Sequence, residues 1–153
     1  MVVTLIVGGW YLVKKTMVPV EEEVMVGDNL EVGDALLEKF EKMGEVSETA
    51  EKAELRPVTG RAGSGIATRE VINGKLVHTV MADLSVLGEG EFYEGWLVGK
   101  TVVSTGKLAE KKGGWLLEYV GEASLADYDS VVITLERKDD GKPEAHVLEG
   151  LFK

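Results

Sequence analysis

The sequence contains no cysteine, and it has two histidines and three prolines in 153 residues. Without cysteine the chain has no disulfide framework, thiol nucleophile, cysteine-ligated zinc site or type-1 copper centre. Two histidines, His78 and His146, are too few for a multi-histidine metal centre. We therefore expect neither a metal nor any other cofactor.

Basic residues are also scarce, since 17 Lys and Arg stand against 27 Asp and Glu, giving a formal charge of −10. Most of this imbalance lies in residues 16–55, which hold twelve acidic and three basic residues. A negative surface repels phosphate backbones, so we expect no nucleic-acid partner. The hydrophobic fraction of 44% is enough for one domain with a buried core.

Residues 1–15 form the first of three predicted parts. The run from Val2 to Val13 carries no charge and is closed by Lys14 and Lys15. A spanning helix needs about 20 apolar residues, so we expect an apolar helix that ends a membrane anchor begun upstream of Met1. A first β-strand or another buried segment is the alternative.

Residues 16–56 are predicted to be an acidic, partly helical or disordered linker. One short amphipathic helix is expected in it, with Asp34 as N-cap and with Leu36, Phe40 and Met43 at positions i, i+4 and i+7. An acidic tether is the expected role of this part. A docking peptide for a basic partner is the alternative.

Residues 57–153 are predicted to form an immunoglobulin-like antiparallel β-sandwich of about seven strands, in an all-β fold. Asn73 and Gly74 form a strong hairpin signal, because a type I′ turn needs a positive φ at both positions. The spacing of the strand-like runs is typical of a sandwich. The predicted strands cover residues 66–72, 75–84, 92–98, 102–108, 115–120, 130–136 and 145–152.

Motifs for chemistry are weak in this part. Both histidines lie in phase with apolar residues, so each is predicted to be packed rather than a metal ligand. Asp127 and Asp129 indicate a turn with side-chain hydrogen bonds. Paired carboxylates also serve carbohydrate hydrolysis, so an enzyme that uses Asp127, Asp129 or Glu136 is an alternative function.

Aromatic residues supply the candidates for binding a partner. Phe92, Tyr93 and Trp96 are clustered on one predicted strand, where they indicate either core packing or a ligand platform. Tyr128 precedes a later strand. If there is a binding surface, we expect it among the exposed members of Phe92, Tyr93, Trp96 and Tyr128.

Five short motifs carry a family resemblance. The strand FYEGWLV at 92–98 and STGKL at 104–108 are followed by VVITLE at 131–136, DGKP at 140–143 and VLEG at 147–150. In this order the motifs resemble the extracytoplasmic, C-terminal domain of the anti-sigma-K factor family. The resemblance covers residues 65–152, and the cytoplasmic sigma-binding domain of full-length members has no counterpart in this sequence.

The resemblance implies a β-sandwich on the outer side of a bacterial or archaeal membrane, tethered by one helix and without catalytic residues. We therefore expect a non-enzymatic, membrane-anchored module that senses or binds an unknown protein or ligand of the cell envelope. Sigma-factor inhibition is not implied, because the sigma-binding domain is missing from this sequence. A structural envelope protein is a further alternative.

Overall fold

The computed structural model describes residues 47–111 and 113–153. These residues form nine β-strands and one short 3₁₀ turn, Ala123–Asp127, and they contain no α-helix. The strands are β1 Glu51–Pro57, β2 Ser64–Ile72, β3 Lys75–Asp83, β4 Phe92–Val98, β5 Val102–Lys107, β6 Ala109–Lys111, β7 Gly114–Glu122, β8 Ser130–Glu136 and β9 Ala145–Leu151.

All neighbouring strands pair antiparallel, in the order β5-β4-β8-β9-β1-β2-β3-β7-β6. The predicted all-β, antiparallel fold is confirmed. The two edge strands of this order, β5 and β6, follow each other along the chain with Leu108 alone between them. Because β5 pairs with β4 and β6 pairs with β7, the sheet nearly closes on itself. The Leu108 amide donates to the Tyr93 carbonyl at this bend, at 2.9 Å.

Strand β1 makes a second bend on the opposite side of the molecule. Its first five residues pair with β2, whereas Arg56 and Pro57 pair with β9. The Val58 amide then donates to the Val147 carbonyl at 3.0 Å. One strand thus belongs to two halves of the sheet, as strands at the corners of packed sheets do.

The two halves pack against each other through β4 and β7. Trp115 and Leu117 of β7 are buried, as expected for alternate residues of a strand with one inward face. The Tyr93 and Trp115 rings meet edge to face, with centroids 5.0 Å apart. A Cβ on Gly95 would lie 3.1 Å from Leu117 Cδ1, so β4 and β7 approach closely at this glycine.

Each of the seven predicted strands is present, and the structure adds β1 and β6. Asn73 and Gly74 have φ angles of 51° and 76°, as the predicted hairpin turn requires. The predicted boundary between linker and domain falls inside β1. It lies there because the charged residues of β1 resemble the acidic segment before it. The predicted apolar helix of residues 1–15 and the predicted linker helix from Asp34 to Met43 lie outside the described residues.

A substitution at Gly150 tests the bend in β1. A Cβ at this position would lie 2.4 Å from the Glu54 carbonyl oxygen, an atom of the β1 backbone that cannot move aside alone. We predict that Gly150→Ala lowers the free energy of unfolding by about 1–3 kcal/mol, the usual cost of overpacking. Urea unfolding of the full chain, followed by tryptophan fluorescence, measures the change.

Gly88→Ala is the control, because the nearest atom to its added Cβ is the Glu91 carboxylate, 3.0 Å away. Moving this carboxylate disturbs only its exposed hydrogen bonds from the Gly88 amide and Arg137 and no strand backbone. Equal unfolding midpoints for Gly150→Ala and the unmodified chain would contradict the close approach of β9 to β1.

Candidate functional site

The three carboxylates of the hydrolase alternative lie at opposite ends of β8. Asp127 and Asp129 are exposed beside the 3₁₀ turn, and Glu136 ends the strand with 0% of its surface exposed. Seven residues of extended chain from Asp129 to Glu136 span about 23 Å. Glycosidase carboxylates lie about 5–10 Å apart, so the structure does not bring these three together for that chemistry.

Tyr93 and Trp96 of the four candidate aromatic residues are buried, on opposite faces of β4. Tyr93 belongs to the core, and its hydroxyl donates to the Ser85 carbonyl at 3.2 Å. Burial raises the pKa of the Tyr93 phenol, with a smaller contribution from the negative charge of Glu91. Trp96 is 2% exposed and donates through Nε1 to the Thr134 hydroxyl at 2.7 Å.

Phe92 and Tyr128 are partly exposed, at different places. The Lys107 ammonium lies 4.1 Å above the Phe92 ring, in a cation–π contact. The Tyr128 ring lies 3.0 Å from the position that a Cβ of Gly99 would occupy, and its hydroxyl is 2.7 Å from the Thr101 hydroxyl. The four aromatic side chains therefore do not form one surface.

A polar network surrounds Trp96. The Thr134 hydroxyl donates to Oε1 of Glu136, and the Glu144 amide donates to the same oxygen at 2.9 Å. Oε2 of Glu136 is buried without a hydrogen-bond partner among the described residues. Alternation in β8 correctly predicts that Thr134 and Glu136 point away from the core side chains Ile133 and Leu135, but it does not predict their burial.

His78 is packed, as predicted, and its environment holds it neutral. Its Nδ1 lies 2.9 Å from the Thr68 carbonyl, its Nε2 has no partner among the described residues, and its ring meets Phe152 edge-on. Burial lowers the pKa of His78 to about 4, the Thr68 hydrogen bond opposes this shift, and the charge of Arg69 adds to it.

His146 corrects the second histidine prediction. A β-bulge between Ile133 and Thr134 places His146 opposite Thr134, so the imidazole points outward and is exposed. Its Nδ1 lies 2.5 Å from Oε1 of Glu149. Across residues 47–111 and 113–153, no three His, Asp or Glu residues are grouped so that they could hold a metal ion.

Arg69 is a buried charge that the sequence reasoning missed. It is 7% exposed and pairs with Glu51 at 2.6 Å, and its guanidinium lies 4.1 Å from the centre of the Phe152 ring. Its Nη1 also donates to the Tyr128 carbonyl at 2.5 Å. In β2, Arg69 points to the same side as buried Ala67, and this alternation is the sequence feature that could have predicted its burial. These bonds satisfy the guanidinium, so Arg69 is a structural charge.

A concave surface runs outside the bend in β1, and we call it the β1–β9 groove. It encloses about 1010 Å³. Gly150 and the 61%-exposed Leu151 contribute its apolar lining. Three acidic and three basic side chains line it: Glu48, Glu54, Glu149, Lys52, Arg56 and Lys153.

The groove lies along the part of β1 and β9 where the two strands share few ladder pairs. β1 and β9 pair at Arg56–Glu149 and Pro57–Leu148, and the Lys153 amide lies 3.4 Å from the Lys52 carbonyl at the other end. Between these contacts the described ladder has no pair. The groove therefore combines two extended backbones, alternating charges and an exposed leucine, which are features that an extended peptide can contact. None of the four predicted aromatic residues lines it.

The buried imidazole gives the fold a pH dependence. Because the folded pKa of His78 lies below its ordinary value of 6.5, the unfolded chain binds a proton first as the pH falls. Stability from this residue is complete above about pH 6.5 and declines towards pH 4, by roughly 3 kcal/mol. We predict that His78→Asn flattens this part of the pH profile, as measured by urea unfolding of the full chain.

His146→Asn is the control, since it removes the exposed imidazole and retains the buried one. A pH profile for His78→Asn that is parallel to that of the unmodified chain would contradict the assignment.

Among the described residues no helix is long and apolar enough to cross a membrane. Comparison of the chain with protein-family models, curated proteins and solved structures found no match. The resemblance to the anti-sigma-K factor family stays a prediction supported by strand motifs alone.

Proposed function

We propose that this chain is a non-enzymatic binding module of the cell envelope, and that its β1–β9 groove binds an extended segment of a partner protein. In this proposal the run from Val2 to Val13, which lies outside the described residues, anchors the chain in the membrane. The domain lies on the extracytoplasmic side, as in the family that the sequence motifs resemble. The observation that carries the binding proposal is the groove.

The side chains that line the groove indicate what kind of segment it binds. Glu54 and Arg56 form an exposed ion pair at 2.9 Å, and exposed ion pairs contribute little to stability. These charges can therefore exchange partners with an incoming chain at small cost. Alternating acids and bases favour an extended segment of mixed charge, and Leu151 offers it one apolar contact.

The non-enzymatic part of the proposal is supported by the separation of the candidate carboxylates. Asp129 and Glu136 are at opposite ends of β8, and Glu136 has no exposed surface. Among the described residues, Ser130 is the one hydroxyl residue in the lining of the groove. Its hydroxyl donates to the Gly150 carbonyl at 3.4 Å, and no described histidine lines the groove to activate it. These features favour binding over hydrolysis, and no described feature favours a purely structural role.

The proposal also assigns the fold to a class of sandwich. We interpret the two halves that face each other through Tyr93 and Trp115 as an immunoglobulin-like sandwich joined at its corners. Sandwiches of this kind commonly present binding surfaces on a rigid scaffold. The proposed role as a sensor or binding module of anti-sigma-factor type fits such a scaffold.

Photocrosslinking in cells tests the proposal. We expect a benzophenone amino acid at Leu151, inside the groove, to give a crosslinked adduct in living cells. The adduct is expected in the membrane fraction and to be released by detergent. The same probe at Val86, which is 89% exposed and outside the groove, is the matched control and is expected to give none.

Glu149→Lys reverses one exposed charge in the groove and is expected to reduce the Leu151 adduct by about tenfold, the effect of roughly 1.4 kcal/mol. An adduct of equal yield from Val86, or an adduct insensitive to Glu149→Lys, would contradict binding in the groove. Full-length protein found entirely in the soluble cytosol would contradict the envelope proposal.

A further inference from the structure

The outer face of β2 and β3 has a buried centre, which we call the β2–β3 outer patch. It consists of two adjacent cross-strand pairs, Thr68–Thr79 and Ile66–Met81. The four side chains are between 5% and 8% exposed. They point away from the interior of the molecule, because they alternate with core residues such as Val80.

Side chains on the same face but nearer the β2–β3 hairpin are much more exposed. Ile72 is 45% exposed and Val120 of the neighbouring β7 is 66% exposed. The strands beside the patch, β1 and β7, lie in the same layer of the sheet. An outer face of one layer stays open to water unless a second layer packs on it. The burial of the patch therefore indicates a cover over this part of the face.

The path of the chain before β1 indicates where the cover comes from. Ser47 donates from its hydroxyl to Oε1 of Glu70 at 3.2 Å, and Thr49 does so at 2.5 Å. Glu70 is the next outward-pointing residue of β2 after Thr68. The chain that leads into β1 is thus held on the outer side of β2, next to the patch.

We infer that residues 34–43 of this chain, which lie outside the described residues, dock on the β2–β3 outer patch. Their apolar residues Leu36, Phe40 and Met43 repeat at helical spacing, so a helix would present them as one stripe about 10 Å long. The two rows of the patch are about 7 Å apart along the strands. Residues 44–46 alone separate the segment from Ser47, a reach of about 10 Å.

The inference extends the proposed function without depending on it. Lys52 and Glu54 of β1 lie opposite Thr68 and Ile66 in the sheet, and both line the β1–β9 groove. A segment docked on the patch would stand at one side of that groove. It would bury Ile66 and Met81, the apolar side chains that the sheet itself leaves without a second layer.

A single engineered thiol tests the docking, because the chain has no cysteine of its own. Thr79→Cys places a thiol in the patch, and Val120→Cys places one on the uncovered part of the same face. In the full chain we expect the Thr79→Cys thiol to react with an aromatic disulfide reagent at least about tenfold more slowly than the Val120→Cys thiol. Adding Leu36→Asp and Phe40→Asp is expected to abolish that difference.

Glu41→Gln is the matched control, since this residue falls on the opposite side of the predicted helix and is expected to leave the rates unchanged. Near-ultraviolet circular dichroism confirms that each variant retains its tertiary packing. Fast reaction of Thr79→Cys in the otherwise unmodified chain would overturn the inference, as would protection that survives Leu36→Asp and Phe40→Asp. Protection lost on dilution would assign the cover to a second copy and overturn it equally.

Discussion

Two bends in the chain hold this fold together, since the segment at each bend supplies backbone hydrogen bonds to both halves of the sheet. β1 changes partner from β2 to β9 at Arg56, and the chain from β5 to β6 changes partner from β4 to β7 at Leu108. Closure in this way leaves little unpaired edge, which is the general hazard of open sheets. It also requires close backbone approach at the bend in β1, where Gly150 lies against Glu54.

The interior and the groove both follow from this closure. Bringing β4 over β7 buries Tyr93 against Trp115 and encloses the polar side chains that share the inward phase. Buried Arg69 pairs with Glu51, whereas burial lowers the pKa of His78 to about 4. On the outside, the groove lies along β1 and β9, where the two strands share few ladder pairs. The same bend thus stabilises the domain and shapes its best candidate for a binding surface.

The strands of the domain could be predicted from the sequence because alternation and turn residues are local signals. Asn73–Gly74 is a clear example, and β8 is another. β1 could not be predicted, because two inward residues, Ala53 and Leu55, are embedded among charges. The outward turn of His146 depends on a β-bulge, which shifts the phase of β9 without any sequence signature.

The β1–β9 groove could not be predicted from the sequence, for a different reason. The groove joins residues of β1 and β9, which are remote in sequence, and its charges carry no motif. Aromatic residues were reasonable candidates for a binding surface, but packing buries Tyr93 and Trp96. Contacts between distant segments decide both of these outcomes. The separation of Asp129 and Glu136, in contrast, already follows from the strand predicted over residues 130–136.

Native-state hydrogen exchange measures the closure of the sheet most directly. Val58 and Leu108 donate their amides across the two bends, to Val147 and Tyr93. If the bends join both halves into one unit, these two amides exchange with the same free energy as that of Val80 in the core, through global unfolding. Exchange at either bend with a free energy lower by several kcal/mol would show that the halves open independently, and it would contradict this account.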